Sequence, residues 1–219
     1  MSKNVRYNIG MENTTKLYKT ALWLAIITVG YNLLEGLVAI YFGVSDETLA
    51  LFGFGVDSFI EVLSGAGIIA MVLRIRKNPN TERGKFEVTA LRITGISFYI
   101  LTVGLSATIV VNLFTGHKPE TTIPGLIIAL ISIFTMWLLI RAKRDVGRKL
   151  NSAPILADAN CTLVCLYMSV VLLASSAIYE LTGFGFVDSL GAIGLVYFSI
   201  NEGKEAFEKA RGIECECED

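Results

Sequence analysis

Six stretches of this chain are long and apolar enough to cross a lipid bilayer as helices, which leaves few folds open to it. A helix needs about 20 apolar residues to span roughly 30 Å of hydrocarbon. Residues 17–42, 48–73, 89–114, 123–140, 154–179 and 184–201 each fit that requirement. Of the 219 residues, 53% are hydrophobic and only 18% charged, so almost nothing polar remains to cover six such helices in water. The pattern predicts an all-α integral membrane protein with six transmembrane helices. The first 20 residues are polar and mixed, with no sign of a cleavable leader. The four cysteines fall as one pair inside the fifth apolar run and one pair in the charged tail. Neither pair resembles the framework of a secreted disulfide scaffold.

Basic residues predict the orientation. Eighteen of the 19 Lys and Arg lie before the first span, between the second and third, between the fourth and fifth, or after the sixth. Only Lys118 falls on the other side. Positive residues are retained in the cytoplasm, so both termini are expected there, in a multi-pass cell-membrane protein. The expected organisation is a cytoplasmic N-terminal segment (1–16), a six-helix transmembrane domain (17–203) and a short cytoplasmic tail (204–219).

Two carboxylates sit inside the second span, in GFGVDSFIEVLSG. A charge at the bilayer centre costs roughly 2.5–3.5 kcal/mol on insertion scales. Asp57 and Glu61 are four residues apart and therefore share a helix face. Gly53, Ser64 and Gly65 make that face small and polar, so it should meet protein rather than lipid. Two stacked acids are tolerable if a cation lies between them or if one keeps its proton. Packing through hydrogen bonds alone is the plainer alternative.

The fifth span carries a second pair at the same spacing, Cys161 and Cys165, in LADANCTLVCLYMS. Thiolates suit zinc and its heavier relatives, although buried cysteines are often simple packing residues. Depth links the two pairs. At 1.5 Å per residue, Asp57 and Glu61 lie roughly 13 and 20 Å below the outer edge, while Cys161 and Cys165 lie roughly 10 and 16 Å above the inner one. Asp57 is then level with Cys165, and Glu61 with Cys161. If the helices are neighbours, four donors converge near the midplane as a tetrahedral set for Zn²⁺ or Cd²⁺.

VDSFIE in the second span, LADANCTLVC in the fifth, ERGKFEVTALR before the third and VDSLGAIGLVYFSINEGKEA in the sixth resemble the cation diffusion facilitator (cation efflux) family. The resemblance covers nearly the whole membrane portion. It implies six helices with cytoplasmic ends, a transport site built from pairs four apart on the second and fifth helices, and proton-coupled efflux by a homodimer. Glu61 stands where an Asp is commoner, and Cys161 and Cys165 stand where the family usually has His and Asp. The cysteines shift the expected preference toward softer ions. The chain also ends 18 residues after the last span, so it reads as a short member without the family's C-terminal cytoplasmic domain.

Other polar residues are open between roles. Asn32 and Glu35 in the first span are three apart and suit an ion or proton path as well as a hydrogen bond to a neighbouring helix. Asp158 and Asp188 are candidates for the same path, and each also suits a helix N-terminus. His117 reads as a solvated loop residue. Cys215 and Cys217, in ECECED, are candidates for capturing metal in the cytoplasm, against the plainer reading of a solvated tail. The expected function is export of Zn²⁺, Cd²⁺ or a similar ion, with protons as counter-ions. The metal is cargo, and no resident cofactor, enzyme activity or nucleic acid partner is expected. Two other classes compete. One is a membrane metal-binding or sensor protein that does not transport. The other is a membrane thiol oxidoreductase using Cys161 and Cys165, which leaves Asp57 and Glu61 without a role.

Overall fold

The computed structural model describes residues 3–45, 49–77, 83–115, 123–182 and 187–212. They form six helices: α1 (Lys3–Ser45), α2 (Leu49–Lys77), α3 (Arg83–Thr115), α4 (Ile123–Leu150), α5 (Ala153–Thr182) and α6 (Val187–Ala210). Each holds all or most of one apolar run. Several continue well past it, because helix hydrogen bonding does not stop at the edge of the apolar stretch. α4 is the important case: RAKRDVGRKL, beyond residue 140, is rich in good helix formers and carries no proline.

Among the described residues, five helices carry an apolar stretch long enough to cross a membrane: Thr14–Phe42, Phe54–Lys77, Gly84–Val111, Gly125–Leu150 and Ala153–Val171. The sixth, α6, turns polar from Asn201 and packs against α3 and α5. Apolar side chains fill the interior and also cover the outside, and ionisable groups are drawn in. Leu34, Leu37, Val103, Leu130 and Phe134 face outward, whereas Thr28, Asn32, Glu35, Asp57, Glu61, Lys143 and Asp158 are buried. That distribution is what hydrocarbon as a solvent selects.

The buried clusters show the helices running alternately up and down. One gathers the first half of α1 (Tyr18, Ala21, Ala25) with the second half of α2 (Ile68, Met71, Val72), Ala90 of α3, Val146 of α4 and Ile155 of α5. The same end of the bundle carries Arg74, Arg76, Lys77, Arg148 and Lys149, and is the basic end. A second cluster, further from that end, joins Ala39 of α1, Leu51 and Phe54 of α2, Met136 and Ile140 of α4, and Cys165 of α5. A third joins Ile60, Phe98, Leu101, Cys161, Val164 and Leu195 across α2, α3, α5 and α6.

Two local features fix how α2 and α5 meet their neighbours. α1 and α2 touch backbone to backbone at Gly36 and Gly55. A Cβ on Gly55 would stand 2.9 Å from the Ile40 nitrogen and 3.0 Å from the Gly36 carbonyl oxygen. Small residues allow this approach between membrane helices. α4 and α5 are joined by a two-residue turn. Asn151 adopts a left-handed conformation (φ 48°). The Asn151 amide donates to the Arg148 carbonyl at 3.1 Å and the Ser152 amide to the Gly147 carbonyl at 3.0 Å, the paired bonds of a Schellman cap. So tight a turn lays the end of α4 directly along the start of α5.

Candidate metal site in the helix bundle

The α2–α5 seam holds both pairs anticipated from spacing. Asp57, Glu61, Cys161 and Cys165 are all buried, and both cysteines are free thiols. The Asp57 carboxylate and the Cys165 thiol lie close enough to interact, and Cys161 lies within the electrostatic reach of Glu61 and Asp57. Asp57 Oδ2 and Glu61 Oε2 are buried and accept no hydrogen bond among the described residues. Each is an unoccupied lone-pair direction in an interior where such groups are normally paired.

The four are not drawn into a closed shell. Among the described residues, no three His, Cys, Asp or Glu side chains form a group able to hold a metal ion. Glu61 has other partners. Thr162 of α5 donates its hydroxyl proton to Glu61 Oε1. Lys143 of α4 donates to Thr162 Oγ1 at 2.7 Å and stands 3.9 Å from Glu61 Oε1. Glu61 is therefore turned toward an internal ammonium as well as toward the thiols.

That ammonium is the site residue the sequence reading missed. The basic run 141–149 reads as a cytoplasmic loop after the fourth span, but it is helical to Leu150, and Lys143 is 1% exposed. Neighbouring basic residues do point outward: Arg141 lies over the Trp137 ring at 4.9 Å, and Lys149 pairs with exposed Asp145. A signal existed. Met136, Leu139, Ile140, Val146 and Gly147 form the buried stripe of α4, and Lys143 falls on it at helical spacing.

Asp158 is buried and binds Lys143 Nζ through Oδ2 at 2.8 Å, which places it in the interior network. Its Oδ1 accepts from Ser64 of α2 at 2.8 Å. Ser64 has one proton to give. Because that proton goes to the carboxylate, Thr94 of α3, 3.1 Å away, must be the donor to Ser64.

The remaining candidates divide. Glu35 of α1 accepts from Tyr31 at 2.8 Å and from Ser58 of α2 at 3.1 Å, which ties α1 to the residue next to Asp57. Asn32 donates to the Thr28 carbonyl at 3.0 Å, while its buried Oδ1 has no donor among the described residues. Asp188 falls at the start of α6, and its side chain lies outside the described residues. His117, Cys215 and Cys217 also lie outside them.

Comparison with known proteins adds an independent line. The family model described as the cation efflux transmembrane domain matches residues 21–211. The chain is 28% identical over 141 residues to the manganese efflux system protein MneP of Bacillus subtilis (strain 168), covering 62% of this chain and 47% of that protein. It is 24% identical over 162 residues to Transmembrane protein 163 of Xenopus laevis, covering 74% and 57%. It is 26% identical over 140 residues to the uncharacterized transporter MJ0449 of Methanocaldococcus jannaschii, covering 61% and 49%. The chain thus spans about half the length of the curated relatives it matches.

Proposed function

From the premise that this chain belongs to the cation efflux family, we propose that it exports a divalent metal ion from the cytoplasm through the α2–α5 seam. Asp57, Glu61, Cys161 and Cys165 are the ligands. The observation that carries the reading is the meeting of two i,i+4 pairs in one buried seam, with Asp57 beside Cys165 and with Asp57 Oδ2 and Glu61 Oε2 left open. A buried acid with a free oxygen asks for a cation or a proton, and alternation between the two is antiport.

The thiols argue for Zn²⁺ or Cd²⁺. Sulfur ligands favour soft and borderline ions, whereas Mn²⁺ prefers oxygen. The Bacillus subtilis relative is a manganese efflux protein by name; with two cysteines in its ligand set, this chain should differ from it in preference. Metal binds the deprotonated site and protons arriving from outside displace it, since carboxylate and thiol ligands bind metal only after losing their protons. The uneven placing of Lys and Arg supports cytoplasmic termini. The transport domain is 17–203, and the homodimer follows from family resemblance alone. Asn32, Glu35, Asp158 and Asp188 remain candidates for the path, and Cys215 and Cys217 for metal capture.

The test is flux into proteoliposomes with Zn²⁺, Cd²⁺ and Mn²⁺, each with and without a pH gradient. Zn²⁺ or Cd²⁺ uptake driven by the gradient is expected. Uptake that persists unchanged in D57A would remove the assignment.

A further inference from the structure

Lys143 is a fully buried cation whose neighbours are two of the bundle's acids. Its Nζ lies 2.8 Å from Asp158 and 3.9 Å from Glu61, and it donates to Thr162 at 2.7 Å. Burying an ammonium inside a helix bundle costs several kcal/mol unless it is paired. Asp158 alone would supply that pair. Yet the ammonium also reaches Thr162, which spends its own proton on Glu61, so a single positive charge is shared between two carboxylates on different helices.

We propose that Lys143 is a tethered cation that competes with the transported divalent ion for Glu61. The inference rests on the transport reading above. Asp57 and Cys165 lie further from the basic end than this cluster, and Asp57 has no ion pair among the described residues. An arriving ion therefore meets one free carboxylate, Asp57, and one already partly neutralised, Glu61. To engage Glu61 fully it must push the ammonium off Glu61 and leave it to Asp158 alone, which Ser64 and Thr94 hold in place from α2 and α3. Lys143 thereby weakens binding and speeds release. Asp158 acts as the resting place that determines how strongly Lys143 competes.

This makes two substitutions move affinity in opposite directions, which a merely structural ion pair would not do. K143M removes the competitor, so Zn²⁺ should bind about tenfold more tightly, with a lower KM and slower turnover in flux. D158N takes away the ammonium's nearer carboxylate and leaves it wholly to Glu61, so Zn²⁺ should bind about tenfold more weakly. K143M/D158N keeps the buried charge balanced and should bind more tightly than wild type. It covers the case in which K143M fails to fold.

The measurement is calorimetric titration of the full chain in detergent with Zn²⁺, alongside proteoliposome flux and helix content by circular dichroism. Tighter binding in K143M or the double variant together with weaker binding in D158N supports the proposal. Affinity that is unchanged or reduced when Lys143 is removed overturns it, as does binding by none of the proteins. The opposed shifts without flux in any variant would uphold the tethered cation and sink the transport reading.

Discussion

Thr162 has one hydroxyl proton, and it goes to Glu61 while Lys143 approaches the oxygen from the other side. One threonine thus carries the link between the acid on α2 and the ammonium on α4. T162V should cost about 1–2 kcal/mol of stability, the range seen for polar contacts between membrane helices in model peptides, and T162S should recover most of it. Denaturant titration of the purified chain would show either outcome. The thiols make a separate prediction. C161S/C165S exchanges soft donors for hard ones, so competition flux should turn from Cd²⁺ toward Mn²⁺; an unaltered Cd²⁺ preference would mean that the cysteines are packing residues. At this scale the acids and thiols were legible in the sequence, because each pair sits at spacing four in an apolar run. Lys143 was legible only as a position in register with Met136, Leu139 and Ile140, and was masked because a lysine among Arg141, Arg144, Arg148 and Lys149 looks like part of a solvated loop. Only the continuation of α4 turns it inward.

Contacts between elements decide which helix faces which. α1 and α2 are held close at Gly36 and Gly55, and that contact lies one turn or less from Glu35 and Ser58, which join the same two helices by a hydrogen bond. G55V has no room for its side chain. It should cost about 1–3 kcal/mol, as overpacked interiors do, and should lower flux by shifting the face that carries Asp57. The α4–α5 turn offers a cleaner probe. Asn151 is left-handed at φ 48°. N151G should be neutral or slightly stabilising, whereas N151V should lose about 1–2 kcal/mol and loosen the alignment of Lys143 with Asp158. Thermal unfolding of the two variants in one detergent separates them. If N151V matched N151G, the cap would not be holding the hairpin. The sequence contains the Asn but not its role, since an Asn-Ser step after a basic run is compatible with many loop geometries.

For the whole molecule, the controlling fact is that hydrocarbon is the solvent. It requires each crossing backbone to satisfy its own hydrogen bonds as helix. It also lets Leu34, Leu37 and Phe134 face outward and draws Asp57, Glu61, Lys143 and Asp158 inward, where they find each other. Charge placement predicts the orientation: a cysteine in place of Lys118 should react with an impermeant maleimide on intact cells, whereas Cys215 and Cys217 should react only after permeabilisation. The reverse labelling would overturn the topology. Hydropathy length and helical spacing are one-dimensional quantities, so the chain by itself determined six apolar helices, their alternation, and which acids and thiols share a face. How far each helix runs beyond the apolar stretch, which neighbour claims each polar group, and where a buried charge finds its counter-charge depend on contacts between residues far apart in sequence. Those the tertiary structure alone decided: it put Asp57 beside Cys165, gave Glu61 to Thr162, and set the ammonium of Lys143 between Glu61 and Asp158.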